Sequence, residues 1–264
     1  MKTPTFLKSQ KPKTFIGKKI SPKGGVSVFE RQIVIPGYDQ NKLLNATIWQ
    51  GGCGGLGGEV DEGLVRKGIK KLVLCDRDIV EITNLNRQFF VKEDIEKPKA
   101  LSLAKNLRLI STAGTILKAY PDIIEKYIKY HYNKEFDIAL VLVDYNPTRY
   151  DVSDYLIKRK KPGIFAGISL DTDSGYVFIQ EPGGPCFNCA FPRRDELAAN
   201  PCPNSPAIKD TLKIIAGFIL FSIDSILMGL PRYWNFRLFR LSGRDEDMKS
   251  FQTKRKGCEI CKNY

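Results

Sequence analysis

The sequence predicts an α/β fold built on a doubly wound, mainly parallel sheet. Three observations predict it. Apolar runs of strand length alternate with stretches of helical periodicity along most of the chain, the pattern of parallel strands joined by crossover helices. The run Phe136-Asp137-Ile138-Ala139-Leu140-Val141-Leu142-Val143-Asp144 is apolar without strict alternation, as a strand buried on both faces must be. The turn Gly52-Cys53-Gly54-Gly55-Leu56-Gly57 follows one strand and opens a helix, the arrangement of a Rossmann-like nucleotide site. Downstream, two CxxC pairs, Cys186/Cys189 and Cys258/Cys261, supply four thiolates, enough to close one tetrahedral zinc site.

Each element follows from the chain in order. Residues 1–29 form a Lys-, Pro- and Gly-rich lead, and 30–45 a short helix and turn. Residues 46–50 make a short strand ending at the glycine turn. Leu56, Val60, Leu64 and Val65 then recur at helical spacing as far as Gly68. Residues 71–76 are a second apolar strand, and 77–97 a loop with short turns. Pro98 opens a helix over 99–110, since its fixed φ suits a first turn. A strand over 115–119, a helix over 122–131, the buried strand at 136–144, a helix over 147–159 and a strand over 163–168 complete the alternation. Residues 175–180 are a further strand, and the Pro- and Asn-rich stretch 186–206 reads as a surface crossover. One long apolar helix over 207–229 precedes strands at about 233–242 and 248–255, a C-terminal antiparallel extension. The expected organisation is a basic tail, 1–29, and a single domain, 30–264. Its nucleotide-binding part runs to about 170, and its crossover and zinc-bound part from about 171.

The chain has 264 residues, 42% of them hydrophobic, which is enough for a sizeable core. No stretch reads as a membrane span, because the 207–229 helix carries Lys209, Asp210, Lys213 and Asp224. The basic N-terminus lacks the apolar core of a secretory signal. Seven cysteines, four of them in CxxC pairs, read as metal ligands in a reducing compartment. The expectation is a soluble cytoplasmic protein with no membrane partner. The net charge of +13 points to an anionic partner. Lys2, Lys8, Lys11, Lys13, Lys18, Lys19 and Lys23 all precede the first acidic residue, Glu30. They read as a solvated tail, or as an arm for nucleic acid or an acidic protein; only Phe6 and Phe15 interleave with them, which gives nucleic acid little support. The single histidine, His131, reads as a surface residue near a helix end. One histidine argues against Ser-His-Asp hydrolysis and His-rich metal catalysis.

Four groups of residues carry chemistry. In the glycine turn, Gly52 permits the tight turn, Gly54 the close approach of backbone to phosphate, and Gly57 the packing of the helix. The helix N-terminus adds N–H donors and a positive dipole end. Asp76 ends the next strand, where an acceptor for ribose hydroxyls belongs; a purely structural glycine turn is the alternative. In Asn84-Leu85-Asn86-Arg87-Gln88-Phe89, with Lys99 beyond, Arg87 and Lys99 suit neutralisation of a leaving pyrophosphate, and Asn84 suits a phosphate oxygen. Asp144 ends a buried strand at the edge where such sheets bind ligands, and suits a magnesium ion bridging phosphates; its other reading is a cap for the helix near Pro147. The four CxxC cysteines fill every position of their site, so that zinc is structural and ties the crossover to the C-terminal tail. Cys202 lies outside them and reads as a nucleophile for a thioester or persulfide, or as an inert thiol. Cys53 and Cys75 read as small buried residues beside the nucleotide site.

Taken in order, Arg31-Gln32, Gly52 to Gly57, Asp76-Arg77-Asp78-Ile79-Val80-Glu81, Asn84 to Gln88, Lys99, Asp144 with Arg149 and both CxxC pairs resemble the ThiF/MoeB/HesA adenylating enzymes. These are relatives of ubiquitin-activating enzymes, and the resemblance runs from about Glu30 to the C-terminus. It implies an adenylyltransferase that uses ATP and Mg2+ to adenylate the C-terminal glycine carboxylate of a small ubiquitin-like or sulfur-carrier protein ending in Gly-Gly. Pyrophosphate leaves, and sulfur then attacks the mixed anhydride. The resemblance places ATP on Gly52, Gly54, Gly55, Gly57, Asp76, Asp78, Asn84, Arg87, Gln88, Lys99 and Asp144. Asp76 would hold the ribose, Arg87 and Lys99 the phosphates, and Asp144 the Mg2+. Arg31 resembles the arginine that crosses a homodimer to the partner subunit's ATP. Cys202 resembles the loop cysteine that some members load, and Zn2+ would sit on Cys186, Cys189, Cys258 and Cys261. The chain departs from the pattern at Tyr145, where Asn often follows the magnesium aspartate, and at Pro203-Asn204-Ser205-Pro206, where a Gly-rich run is usual. Its long basic tail is also unusual.

Other readings remain open at this point. Another carboxylate, on a peptide or a tRNA, would use the same chemistry; the basic tail suits tRNA, and the zinc knuckles argue against it. An NAD-dependent oxidoreductase explains the glycine turn and Asp76 but leaves Arg87, Lys99 and Asp144 idle. A non-catalytic protein that recruits a ubiquitin-like partner has no need of those three residues either.

Overall fold

The computed structural model describes residues 11–21, 27–131, 134–192, 206–243 and 246–261. Its strands are β1 (Lys13–Ile16), β2 (Thr47–Gly51), β3 (Lys71–Cys75), β4 (Ile116–Tyr120), β5 (Ile138–Val141), β6 (Gly163–Ile168), β7 (Ser174–Gln180), β8 (Phe236–Arg240) and β9 (Met248–Ser250). Its α-helices are α1 (Glu30–Ile33), α2 (Gln40–Asn45), α3 (Gly55–Lys67), α4 (Lys99–Ile110), α5 (Ile124–Tyr130), α6 (Asn146–Arg159), α7 (Phe187–Ala190) and α8 (Lys209–Met228). All the strands join one sheet in the order β1-β4-β3-β2-β5-β6-β7-β8-β9. Neighbours from β4 through to β6 pair in parallel, and β7, β8 and β9 add antiparallel neighbours. This is the doubly wound sheet with an antiparallel extension that the sequence predicts.

The chain steps from β2 through β3 to β4 on one side, then returns to place β5 on the other side of β2. The strand order therefore reverses between β2 and β5. Beyond the C-terminal ends of those strands lies the crevice where open α/β sheets take ligands. Two apolar cores flank the sheet, because successive side chains point to opposite faces. Ile48, Leu72, Leu74 and Leu140 pack with Val60 and Leu64 of α3, Leu103 and Leu107 of α4, and Ile219 of α8. Trp49, Val73 and Val141 face the other way, against Tyr127 of α5 and Tyr155 of α6.

By length and composition α8 is apolar enough to cross a membrane, which amends the expectation that no stretch is. Here Leu212, Ile215, Ile219 and Ile223 lie buried in the core shared with α3. Burying four such side chains favours docking by roughly 6–12 kcal/mol before chain entropy is counted.

The structure departs from the sequence reading at several elements. Within the basic lead, β1 forms an edge strand antiparallel to β4, with Phe15 opposite Leu117 and packed against the core. The 30–45 segment splits into α1 and α2, and β8 and β9 are shorter than expected. The apolar run at 136–144 pairs only from Ile138 to Val141, so Asp144 lies in the loop beyond β5 rather than at a strand end.

Candidate functional site

The glycine turn sits directly over the strand reversal. The Gly52 amide donates to Cys75 O at 2.9 Å, and the Leu142 amide to Gly51 O at 2.9 Å, so the turn is tied to the ends of both flanking strands. Gly52 has φ +99°, and a Cβ there would stand 2.5 Å from Leu142 O. A Cβ on Gly57 would stand 2.4 Å from Gly52 O, so the first turn of α3 packs on the loop only without a side chain. Gly54 differs: among the described residues, a Cβ there would meet nothing within 4 Å. It is the N-cap of α3 and offers no side-chain cap to the first-turn amides. Open space in front of a helix N-terminus fits an anionic phosphate.

Asp76, immediately after β3, is buried. Its Oδ2 accepts the Cys53 amide at 2.6 Å and its Oδ1 the Asp78 amide at 2.8 Å. The residue expected to hold ribose therefore also fixes the glycine turn, which the sequence did not reveal. Lys99, at the start of α4, places Nζ 3.1 Å from Asp78 Oδ2 with only 12% of its side chain exposed. Burial opposes its charge, but Asp76 and Asp78 outweigh burial and raise its pKa. Burial raises the Asp76 pKa and Asp78 adds to this, while Lys99 and the two amides oppose. The result is a largely buried cation beside two carboxylates at the C-terminal edge of the sheet.

The 82–90 loop packs on α3, where a Cβ on Gly58 would lie 3.0 Å from Phe89 Cβ. Asn84 is buried and its Oδ1 accepts the Glu81 amide at 2.9 Å, so its side chain braces the loop here. Arg87 is half-buried, and its Nη1 donates to Thr83 O at 2.7 Å and Asn86 Oδ1 at 2.9 Å. Gln88 Oε1 is buried and has no hydrogen-bond partner among the described residues. Lys209 of α8 pairs with Glu59 of α3 and donates to Arg87 O at 3.5 Å, which fastens this loop to both helices.

Asp144 is exposed and, among the described residues, carries no hydrogen bond or ion pair. The N-cap of α6 is Tyr145, and no side chain caps it, so the capping role considered for Asp144 is not what the structure shows. Arg149 turns away from Asp144 into the sheet, donating to Asn146 Oδ1 at 3.0 Å and Ala166 O at 3.2 Å. Arg31 is exposed in α1 and unpaired among the described residues. Cys202 lies outside the described residues. Cys53 and Cys75 are buried, as expected.

The four CxxC cysteines converge. Cys186 Sγ is 3.7 Å from Cys189 Sγ and 3.6 Å from Cys258 Sγ, and Cys189 Sγ is 3.4 Å from Cys261 Sγ. All four lie within 4.8 Å of one another. Zinc–sulfur bonds of about 2.3 Å in a tetrahedron put sulfurs about 3.8 Å apart, so the cluster fits that ion. The Arg255 amide points at Cys189 Sγ from 3.3 Å and Asn188 Nδ2 at Cys258 Sγ from 3.6 Å, the outer donors that support metal thiolates. Burial works against a charged Cys258, but the Cys261 amide and the Asn188 side chain bring its pKa down to about 6.

Sequence reasoning missed Gln50 and Asp61. Both are fully buried. Gln50 Nε2 donates to Asp61 Oδ2 at 2.8 Å and to Gly52 O at 3.1 Å, beneath the glycine turn. The signal was present: two polar residues at core-facing positions of an apolar strand and its helix.

The ThiF family model, described as "ThiF family", matches residues 29–262. "Adenylyltransferase and sulfurtransferase MOCS3" of Xenopus laevis is 30% identical over 254 residues, covering 89% of this chain and 53% of that protein. The chain thus spans about half the length of that relative. "Sulfur carrier protein adenylyltransferase" of Thermus thermophilus is 26% identical over 88% of this chain and 89% of its own length. Among solved structures, E. coli MccB with AMPCPP and MccA superposes with a TM-score of 0.74 at 22% identity, covering 90% of this chain and 75% of that one. E. coli MccB with ATP gives 0.69 at 24% identity, covering 84% and 68%. These two likenesses establish the shared fold.

Proposed function

The chain belongs to the ThiF family, and from that premise we propose that it adenylates the C-terminal glycine carboxylate of a small ubiquitin-like or sulfur-carrier protein. The observation that carries this reading is one sheet edge that holds the helix N-terminus at Gly54, the Asp76–Lys99–Asp78 cluster and Asp144, the first open and the last unpartnered among the described residues.

In this reading a carboxylate oxygen of the carrier attacks the α-phosphorus of ATP. The bond from that phosphorus to the bridging oxygen of pyrophosphate breaks, leaving an acyl-adenylate. The turn amides and the α3 dipole hold phosphate oxygens; Gly54 leaves room for them, while Gly52, Gly55 and Gly57 let the turn pack on Leu142, Leu212 and its own backbone. Asp76 accepts ribose hydroxyls through oxygens already fixed by Cys53 and Asp78. Lys99 and Arg87 oppose the charge that grows on the leaving pyrophosphate, and Asn84 and Gln88 shape the loop beside it. Asp144 would hold Mg2+, which draws charge from the phosphates. Arg31 would reach the ATP of a partner subunit; its exposure beside exposed Ile33, Val34 and Ile35 supports a homodimer there. Zn2+ on Cys186, Cys189, Cys258 and Cys261 would anchor the C-terminal part without entering the chemistry. Transfer to Cys202 follows as a second step: its thiolate attacks the acyl carbon and AMP leaves. A cytoplasmic location suits a cluster of four unoxidised cysteines.

ATP–pyrophosphate exchange tests the proposal, with candidate proteins ending in Gly-Gly and with wild type and Asp144→Ala. Exchange that requires both the carrier and Asp144 supports it. Exchange driven by a peptide or a tRNA, and by no carrier protein, overturns the substrate assignment.

A further inference from the structure

Adenylation uses few of the 42 lysines and arginines. Many of the rest gather on the sheet face that carries α5, at the β1 edge and away from the strand reversal. There α5, seven residues long, packs Ile124 and Tyr127 into the core of that face. Lys71 shares its side of β3 with Val73, and Lys118 shares its side of β4 with Tyr120. Thr14 of β1 lies opposite Lys118, and exposed Ile16 opposite Ile116. His131 and Lys134 follow α5 beside them.

No carboxylate among the described residues neutralises this group. Among the described residues, Lys70, Lys71, Lys118 and Lys134 form no ion pair. The acids nearby are already paired, Asp122 within the wall of the cleft described below. Asp122 pairs with Lys126 at 2.5 Å, Glu135 with Arg159 at 3.0 Å and Lys161 at 3.2 Å, and Asp137 accepts the Thr47 amide at 2.7 Å. Burial lowers the Lys71 pKa, and Lys118, Lys134 and Lys70 lower it further; Lys118 and Lys134 also add to the lowering that burial imposes on His131. These cations repel one another, and a polyanion would relieve the repulsion.

Aromatic rings stand among them. Lys118 Nζ lies 5.2 Å from the Tyr120 ring centre, and Lys129 Nζ 5.6 Å from that of Tyr130. His131 packs 5.0 Å from Tyr120 and 4.9 Å from Tyr127, so it is less a surface residue than its sequence position suggests. These rings line a cleft of about 180 Å³ together with Lys11 and Lys126, and Tyr130 is 66% exposed at its side. A drug-sized ligand needs about 300 Å³ or more, so the cleft suits one flat ring of a longer molecule.

We propose that this face binds single-stranded nucleic acid, with phosphates on Lys71, Lys118 and Lys134 and a base stacked in the cleft beside Tyr130. An acidic protein would satisfy the lysines and leave the exposed ring without a role; a nucleic acid uses both, since every base offers a flat face to stack. The assignment stands independently of the adenylation reading, because none of these residues belongs to that site.

Fluorescence anisotropy of a labelled oligouridylate with the full chain, across about 50–200 mM salt, reads the interaction. Wild type should bind with strong salt dependence. Lys71→Glu, Lys118→Glu and Lys134→Glu together should weaken binding at least tenfold and reduce the log–log salt slope by about 2. Tyr130→Ala should weaken it at least about fivefold with the slope retained. Should the triple variant fail to fold, the exposed Lys134→Gln alone should still reduce the slope by about 0.7. Wild type that fails to bind overturns the proposal. So does binding unchanged in the lysine variants, or binding displaced equally by polyglutamate and indifferent to Tyr130→Ala, which would mark an acidic-protein surface instead.

Discussion

Gly54→Ala should remove ATP binding while leaving the fold intact. The two consequences separate because they arise from different spaces. Gly54 has φ −81°, which an L residue adopts without strain, and its Cβ would touch no atom of the described residues within 4 Å. As an N-cap, alanine is worse than glycine by up to about 1 kcal/mol. Reduced freedom of the unfolded chain returns about 0.4–1 kcal/mol. The net change lies within about 1 kcal/mol, or about 2–4 °C in Tm. The new methyl instead occupies the gap through which backbone approaches phosphate. We expect ATP affinity to fall at least tenfold, about 1.4 kcal/mol. Gly57→Ala is the contrast. Its Cβ would lie 2.4 Å from Gly52 O and 2.8 Å from Gln50 Nε2, atoms joined by their own hydrogen bond. Overpacking there should cost about 1–3 kcal/mol and depress Tm visibly. Isothermal titration with ATP and thermal melting of both variants give the answer. Wild-type ATP affinity in Gly54→Ala, or a collapse of its Tm, would refute the assignment of that gap to phosphate.

Further predictions concern the groups beneath and around the turn. Burial pushes the Asp61 pKa well above the ordinary carboxylate value, against the pull of Gln50. The unfolded chain gives up this proton near pH 4 while the folded protein keeps it, so the contribution is full below that pH and is lost as pH rises toward the folded pKa, by up to about 1.4 kcal/mol per pH unit. Asp61→Asn, neutral throughout, should flatten Tm between pH 4 and 8 relative to wild type; identical slopes would show that Asp61 is ionised. Lys99→Gln should lower kcat for pyrophosphate exchange by about 10²–10³ while ATP still binds, and an unchanged kcat would place the leaving charge elsewhere. Elemental analysis should find one zinc per chain. A strong chelator should lower Tm by several degrees and expose the four clustered thiols to a thiol reagent, whereas an unchanged Tm would deny the cluster a structural role.

Much of this architecture is legible in the sequence because it rests on local signals. Core strands such as β3 announce themselves by apolar runs, α4 by Pro98 and its periodicity, and the cysteine cluster by CxxC spacing. What escapes notice depends on partners distant in sequence. β1 runs Lys13-Thr14-Phe15-Ile16, without the period-two alternation of a strand, and only the edge of β4 makes a strand of it. The apolar run at 136–144 hides the end of β5, because Leu142 and Val143 remain partly or wholly buried after the ladder stops. Asn84 is a polar residue in a loop from either viewpoint; its use by the Glu81 amide appears only in three dimensions. Asp76 shows the same limit, since its position indicates a ligand acceptor while its bond to the Cys53 amide needs the folded turn. Cys202 falls outside the described residues, so its sequence reading stands as an expectation.

The most direct test of the central claim follows ATP labelled at the α-phosphate through one incubation with Mg2+ and a carrier protein ending in Gly-Gly. Attack at the α-phosphorus predicts pyrophosphate as the other product and label on the carrier's terminal glycine, both lost when that glycine is deleted. Label appearing in ADP, with inorganic phosphate released and the carrier unmodified, would contradict it.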